Sequence, residues 1–231
     1  MKEEKSVLRW GGLAGILGGI FFILSIVIIV AFTVPEPADP EGLVMRFPDV
    51  RAALTVWQSL YLLGVILSVP LFLALYRALR GASLAPALFG SVLGVMGLVV
   101  RAAESLPVVA FAPISDLYHA PGATPEEQAT LVLLWQATQG VFNALSAVGT
   151  LLVPIGLIVL GVAMLGAPAF GKGFGGVSVV LGVVGVVGMS LRVVDPLSSI
   201  AFVGTFLGAL VALVVFLLVL GWKVYSLSRS P

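Results

Sequence analysis

Six long stretches of this chain contain no charged residue: 13–34, 52–76, 81–100, 128–171, 173–191 and 196–222. An α-helix rises about 1.5 Å per residue, so roughly 20 apolar residues reach across a hydrocarbon core about 30 Å thick. Five of the stretches have the length for one crossing each. A soluble domain would have to hide them behind polar surface, and such domains typically carry about 25% charged residues. Here the figure is 10%, against 60% hydrophobic residues and a mean hydropathy of +1.17. The 231-residue chain cannot cover its apolar surface with its own polar groups, so lipid is the solvent it calls for. No stretch alternates apolar and polar residues as a barrel strand must. The expected fold class is all-α, a polytopic membrane helix bundle.

The stretch 128–171 fits either one long helix or two. Thr124-Pro125-Glu126-Glu127 ahead of it has the form of a helix start, with Thr124 as cap, Pro125 in the first turn and Glu127 closing a capping box. Gln136, Thr138, Gln139 and Asn143 follow, too polar to face lipid. One helix that starts outside the membrane, crosses it and kinks near Pro154 accommodates them. Two tightly turned helices would instead give seven crossings. Basic residues favour six. With six, Lys2, Lys5, Arg9, Arg77, Arg80, Lys172, Lys223 and Arg229 share the cytoplasmic side, and Arg46 and Arg51 lie outside. Seven would carry Lys172, Lys223 and Arg229 out.

The expected spans are about 11–34, 52–77, 84–106, 126–166 with an extramembrane start, 173–193 and 197–222. They form one integral membrane domain with six transmembrane helices and N and C termini cytoplasmic. Segments 35–51 and 107–127 are read as the outer segments, the first proline-broken with 43–47 on the membrane surface. Met1–Arg9 is basic, like the start of a signal peptide, but the run behind it is long and no small-x-small site precedes Pro35. A retained first helix is expected.

Composition also narrows the chemistry. A net charge of +1 gives no basic face for nucleic acid. The absence of cysteine removes disulfides, thiolate metal sites and cysteine nucleophiles, and His119 is the single histidine. No serine has an evident base partner, and no glycine-rich phosphate loop with lysine occurs. No catalytic residue, metal site or cofactor is assigned, and an enzyme is not expected.

Ionisable groups inside the spans are the first candidates for function, because a charge at the bilayer centre costs roughly 2.5–3.5 kcal/mol or more. Arg101 and Glu104 share a face of span three, and Arg192 and Asp195 share one of span five. Cross-pairing of Arg101 with Asp195 and of Arg192 with Glu104 fits the spacing equally. Gln136, Gln139, Asn143, Ser146 and Thr150 fall within about 80° on the fourth helix, a polar stripe. Gln58, Tyr61 and Ser68 make a weaker counterpart on span two. Together these residues frame an outer-side polar pocket for a small ligand or a lipid headgroup. Arginines near the interface also snorkel, and Gln or Asn also fasten helices, so both roles stay open.

Gly94-x-x-Gly97-x-x-x-Arg101-x-x-Glu104 is echoed by Gly185-x-x-Gly188-x-x-x-Arg192-x-x-Asp195, the mark of a faint repeat of one helical hairpin. Gly11, Gly15 and Gly19 form a small-residue seam, as do Gly204, Gly208 and Ala212. Arg9-x-x-Gly12, Leu75-Tyr76-Arg77-Ala78-Leu79-Arg80 and Arg101-x-x-Glu104 resemble the bacterial multi-pass family catalogued as domain of unknown function 4386. So does the fourth helix ending in Gly-Ala-Pro-Ala-Phe-Gly before a glycine-rich fifth span, although Ala169 stands where the family usually has a basic residue. The resemblance implies a membrane protein and carries over no active site.

The expected function is binding or transport of a small or lipid-like molecule through the outer polar cluster, in a prokaryotic plasma (inner) membrane. The alternative is a structural or regulatory subunit of a membrane complex. Membrane lipids are the expected partners, with a homo-oligomer or a membrane-protein partner as the further option.

Overall fold

The computed structural model describes residues 2–33, 37, 39–194 and 214–229. Among them the chain is helical apart from short links. The helices are α1 (Lys2–Thr33), α2 (Pro40–Leu79), α3 (Leu84–Ala103), α4 (Ser105–Tyr118), α5 (Pro125–Leu165), α6 (Gly171–Val194) and α7 (Leu217–Arg229). Five helical runs are long and apolar enough to cross a membrane, with α3 and α4 counting as one run. Most of the sixth expected span, residues 197–213, lies outside the described residues, as do Asp195, Gly204, Gly208 and Ala212.

The helices pack as antiparallel neighbours in the order α7, α1, α2, α3, α5, α6. Small residues set the approach. A Cβ on Gly11 would run into Ala74 of α2, and one on Gly12 would lie 2.5 Å from the backbone of Tyr225 in α7. Ser178 is fully buried and its hydroxyl donates to the Leu157 carbonyl at 2.7 Å, pinning α6 to α5. The main core gathers Leu71, Phe72 and Leu75 of α2, Leu98 of α3, Leu160 of α5 and Leu220 of α7, none with measurable exposure. Large apolar side chains also point outward, among them Val30, Phe89, Val99 and Val180, each more than half exposed. An apolar outer surface is what a lipid-solvated bundle presents.

Both described chain ends lie at one end of the bundle, because α7 runs back along α1, with Leu218 beside Gly19 and Tyr225 beside Gly12. Lys5, Arg9, Arg77, Arg80, Lys172, Lys223 and Arg229 lie at this terminal end. Arg77 meets Glu4 there at 3.1 Å. The opposite, far end is different. The 40 residues of α2 and the 41 of α5 run to about 60 Å each, twice the hydrocarbon thickness. Their first halves are therefore length beyond what one crossing needs. With α4 they enclose a second, separate apolar cluster of Val44, Phe47, Phe111, Ile114, Tyr118 and Trp135.

This far-end cap corrects two expectations. The second helix begins at Pro40, ahead of the span expected from about residue 52, and 43–47 form part of it rather than of a proline-broken stretch. Asp39 caps it, accepting from the Gly42 amide at 2.8 Å, and Pro40 occupies the first turn where its missing N–H is harmless. Pro48 sits inside the helix and leaves the Val44 carbonyl without its helical donor. The Ser115 hydroxyl of α4 donates to that carbonyl at 3.3 Å, so the proline's defect becomes a tertiary contact.

The second concerns the outer segment 107–127, whose first half is helical. Pro107 cannot donate to the Ala103 carbonyl, the helix is interrupted at Glu104, and α4 then runs to Tyr118. The turn expected at Pro121-Gly122 is present: Ala123 donates to the Ala120 carbonyl at 3.1 Å and Gly122 has φ of 90°. The capping box at Thr124 and Glu127 is formed, and α5 continues through Pro154 as one helix. The two-helix alternative for this stretch is not what the chain adopts.

Candidate functional site

The candidate residues fall into two groups at two depths. The deeper one is a polar centre where α2, α5 and the α3–α4 break converge. Arg101 ends α3 and Glu104 occupies the break, their side chains 11% and 5% exposed and 3.6 Å apart. That is an ion pair without a short charge-assisted hydrogen bond, which would lie near 2.8 Å. Arg101 is held elsewhere: it donates to the Thr150 hydroxyl of α5 and lies over the Tyr61 ring of α2, 5.3 Å from its centroid. Gln58, one turn before Tyr61, donates to the Ser105 hydroxyl.

Gly149 makes this arrangement possible. A Cβ there would lie 2.5 Å from Arg101 Cγ and 3.2 Å from the Gly97 carbonyl, so only glycine leaves room for the arginine between the helices. Four buried polar atoms of the centre have no partner: Gln58 Oε1, Tyr61 Oη, Arg101 Nε and Glu104 Oε2. Two can donate and two accept, and the pair is formally neutral.

The second group lies nearer the far end, in a cleft of about 360 Å³ between the outer parts of α1, α2, α4, α5 and the end of α6. Trp57, Phe111, Trp135 and Phe142 supply aromatic wall. Trp135 is buried, stacked on Phe111 at 4.2 Å and edge-on to Phe47 at 5.4 Å. Polar lining comes from Arg46, Arg192, Gln139 and Asn143, and Gln139 donates to Asn143 at 3.3 Å.

The two groups are vertically related. On α2, Trp57 of the cleft stands one turn from Tyr61 of the centre, their rings 6.1 Å apart. On α5, Asn143 precedes Thr150 by two turns, and on α4, Val108 stands one turn beyond Glu104. At about 1.5 Å per residue the centre lies roughly 6–10 Å beneath the cleft.

The sequence candidates therefore do not form one cluster. Arg101, Glu104 and Gln58 meet in the buried centre. Gln139, Asn143 and Arg192 line the cleft. Gln136 is exposed and belongs to neither group. Asp195 lies outside the described residues. The cross-pair of Arg192 with Glu104 is not formed: Glu104 lies against Arg101, its neighbour by one turn, and Arg192 is exposed at the cleft. Ser105 and Gly149 were not singled out by spacing. Adjacency to Glu104 is the one signal that pointed to Ser105, and Gly149 carries meaning only once Arg101 is placed opposite it. Compared with family models, curated proteins and solved structures, the chain matches none.

Proposed function

We propose that this protein is a six-crossing bundle of a prokaryotic plasma membrane, with both termini cytoplasmic, that binds or transports a small, lipid-like molecule in the far-end cleft. The resemblance to the bacterial multi-pass family belongs to the same proposal. Support for the orientation comes from the basic residues gathered at the terminal end, the side that the positive-inside rule assigns to the cytoplasm.

The cleft carries the functional part. Its volume falls in the range of small-molecule sites, roughly 300–1,000 Å³, and its lining is mostly apolar with a few convergent polar groups. An amphipathic molecule matches both kinds of wall at once. A role as a structural subunit draws less support from the first glycine seam, since Gly11 and Gly15 meet α2 and Gly19 meets α7. That seam is used within the chain.

Tryptophan fluorescence tests the cleft. Of the four tryptophans, Trp10 and Trp222 are exposed near the terminal end, and Trp57 and Trp135 line the cleft. With Trp10→Phe and Trp222→Phe in place, a bromine-labelled monoacylglycerol titrated into the purified protein in detergent is expected to quench the remaining emission saturably. Quenching that rises linearly without saturating would refute occupancy of the cleft.

A further inference from the structure

We infer that the buried centre is the polar end of the cleft site and takes an uncharged headgroup with neighbouring hydroxyls, the apolar chain lying against Trp57, Phe111, Trp135 and Phe142. The inference rests on the proposed cleft reading and names the class of molecule it takes.

Each side chain of the centre has one end committed and one end left over. Arg101 gives Nη1 to Thr150 and turns Nη2 toward Glu104 Oε1, which leaves Arg101 Nε and Glu104 Oε2. Gln58 gives its amide nitrogen to Ser105, which leaves Oε1. Tyr61 is engaged by Arg101 through its ring, which leaves its hydroxyl. Among the described residues these four atoms have no hydrogen-bond partner. Gln58, Tyr61 and Glu104 are 9%, 7% and 3% exposed, so bulk water does not serve them. A buried polar atom left so is costly, and a group that pairs with it is bound at an advantage.

The leftover set specifies that group. Two of the atoms donate and two accept, while Arg101 and Glu104 cancel each other's charge. The matching headgroup therefore both donates and accepts and carries no net charge. Two neighbouring hydroxyls do so; a carboxylate brings no donor and a quaternary ammonium neither donor nor acceptor. A charged headgroup would also lose its water at this depth without gaining an unmatched counter-charge.

Cleft and centre are close enough for one molecule to occupy both. On α2, Trp57 of the cleft precedes Tyr61 by one turn, and on α4, Val108 of the cleft follows Glu104 by one turn. That step is about 6 Å, which the first few carbons of an alkyl chain cover. The hydroxyls then lie innermost and the chain runs outward along the aromatic wall.

The test uses the variant carrying Trp10→Phe and Trp222→Phe with four probes of equal chain length, each brominated at the chain end. They are an alkyl 1,2-diol, its dimethyl ether, an alkyl carboxylate and an alkyl trimethylammonium. The diol is expected to quench saturably with about tenfold higher affinity than any of the other three. The ether keeps both oxygens and loses both donors, so it isolates the hydroxyl hydrogens. Tyr61→Phe removes one leftover hydroxyl and breaks no hydrogen bond, so the fold is kept, which thermal unfolding checks. It should weaken the diol several-fold and leave both charged probes unchanged.

Equal saturable quenching by all four probes overturns the inference and leaves the cleft reading standing. A diol no tighter than its ether assigns the centre to water alone and overturns it too. Tighter binding of either charged probe does the same, as does a diol affinity unchanged in folded Tyr61→Phe. Absence of saturation with every probe removes the cleft reading and the inference together.

Discussion

Arg101→Ala is expected to destabilise the purified protein by about 3 kcal/mol or more, the lower end of what breaking a buried ion pair costs. The change removes three contacts at once: the pairing with Glu104, the bond to Thr150 and the packing over Tyr61. The larger loss is what it leaves behind, a carboxylate 5% exposed with no counter-charge in its surroundings. Adding Glu104→Gln should therefore recover much of the loss, since the orphaned charge goes with it. Thermal unfolding in detergent across the four-member cycle gives the answer. A double variant no more stable than Arg101→Ala would show that Glu104 carries little uncompensated charge and that the arginine acts through packing alone.

Trp135→Ala is the other large effect, about 3–5 kcal/mol for truncating a buried tryptophan in a packed cluster. Its consequence is expected to be local. Trp135 belongs to the far-end cluster with Phe47 and Phe111, which is separate from the main core around Leu71, Phe72 and Leu160. Hydrogen exchange should show lost protection in α4 and in the first halves of α2 and α5, with the membrane-spanning halves unchanged. Uniform loss of protection along all helices would mean that cap and bundle unfold as one unit.

The separation of cap from bundle also explains what could be read from the sequence. Among the described residues, the long uncharged runs marked where the helices able to cross a membrane lie, because length and desolvation leave few options there. The start of α5 was equally legible, since Thr124, Pro125 and Glu127 satisfy the first amide donors locally. The start of α2 was not. Pro40 and Pro48 read as breakers, yet Pro40 stands in the first turn and the carbonyl that Pro48 leaves free is taken by Ser115, 71 residues away. Long-range compensation of that kind leaves no trace in local spacing.

The site was legible in part for the same reason. Arg101 and Glu104 lie one turn apart on adjoining helical segments, so their spacing brought them together correctly. Arg192 was assigned by analogy with Arg101, and analogy gave it the same surroundings. The fold instead places it in the cleft beside a wall built from α2 and α4, which periodicity within span five cannot report. The α5 stripe was real but served two purposes: Gln139 and Asn143 face the cleft, and Thr150 faces the centre.

Cysteine labelling tests the outward-facing cleft most directly, because the native chain contains no cysteine. Single variants Asn143→Cys, in the cleft, and Ser228→Cys, at the terminal end, would be treated in intact cells with a membrane-impermeant maleimide. The account predicts prompt labelling at position 143 and labelling at position 228 only after the cells are permeabilised. Labelling at 228 in intact cells with protection at 143 would invert the bundle and contradict a cleft that opens to the outside.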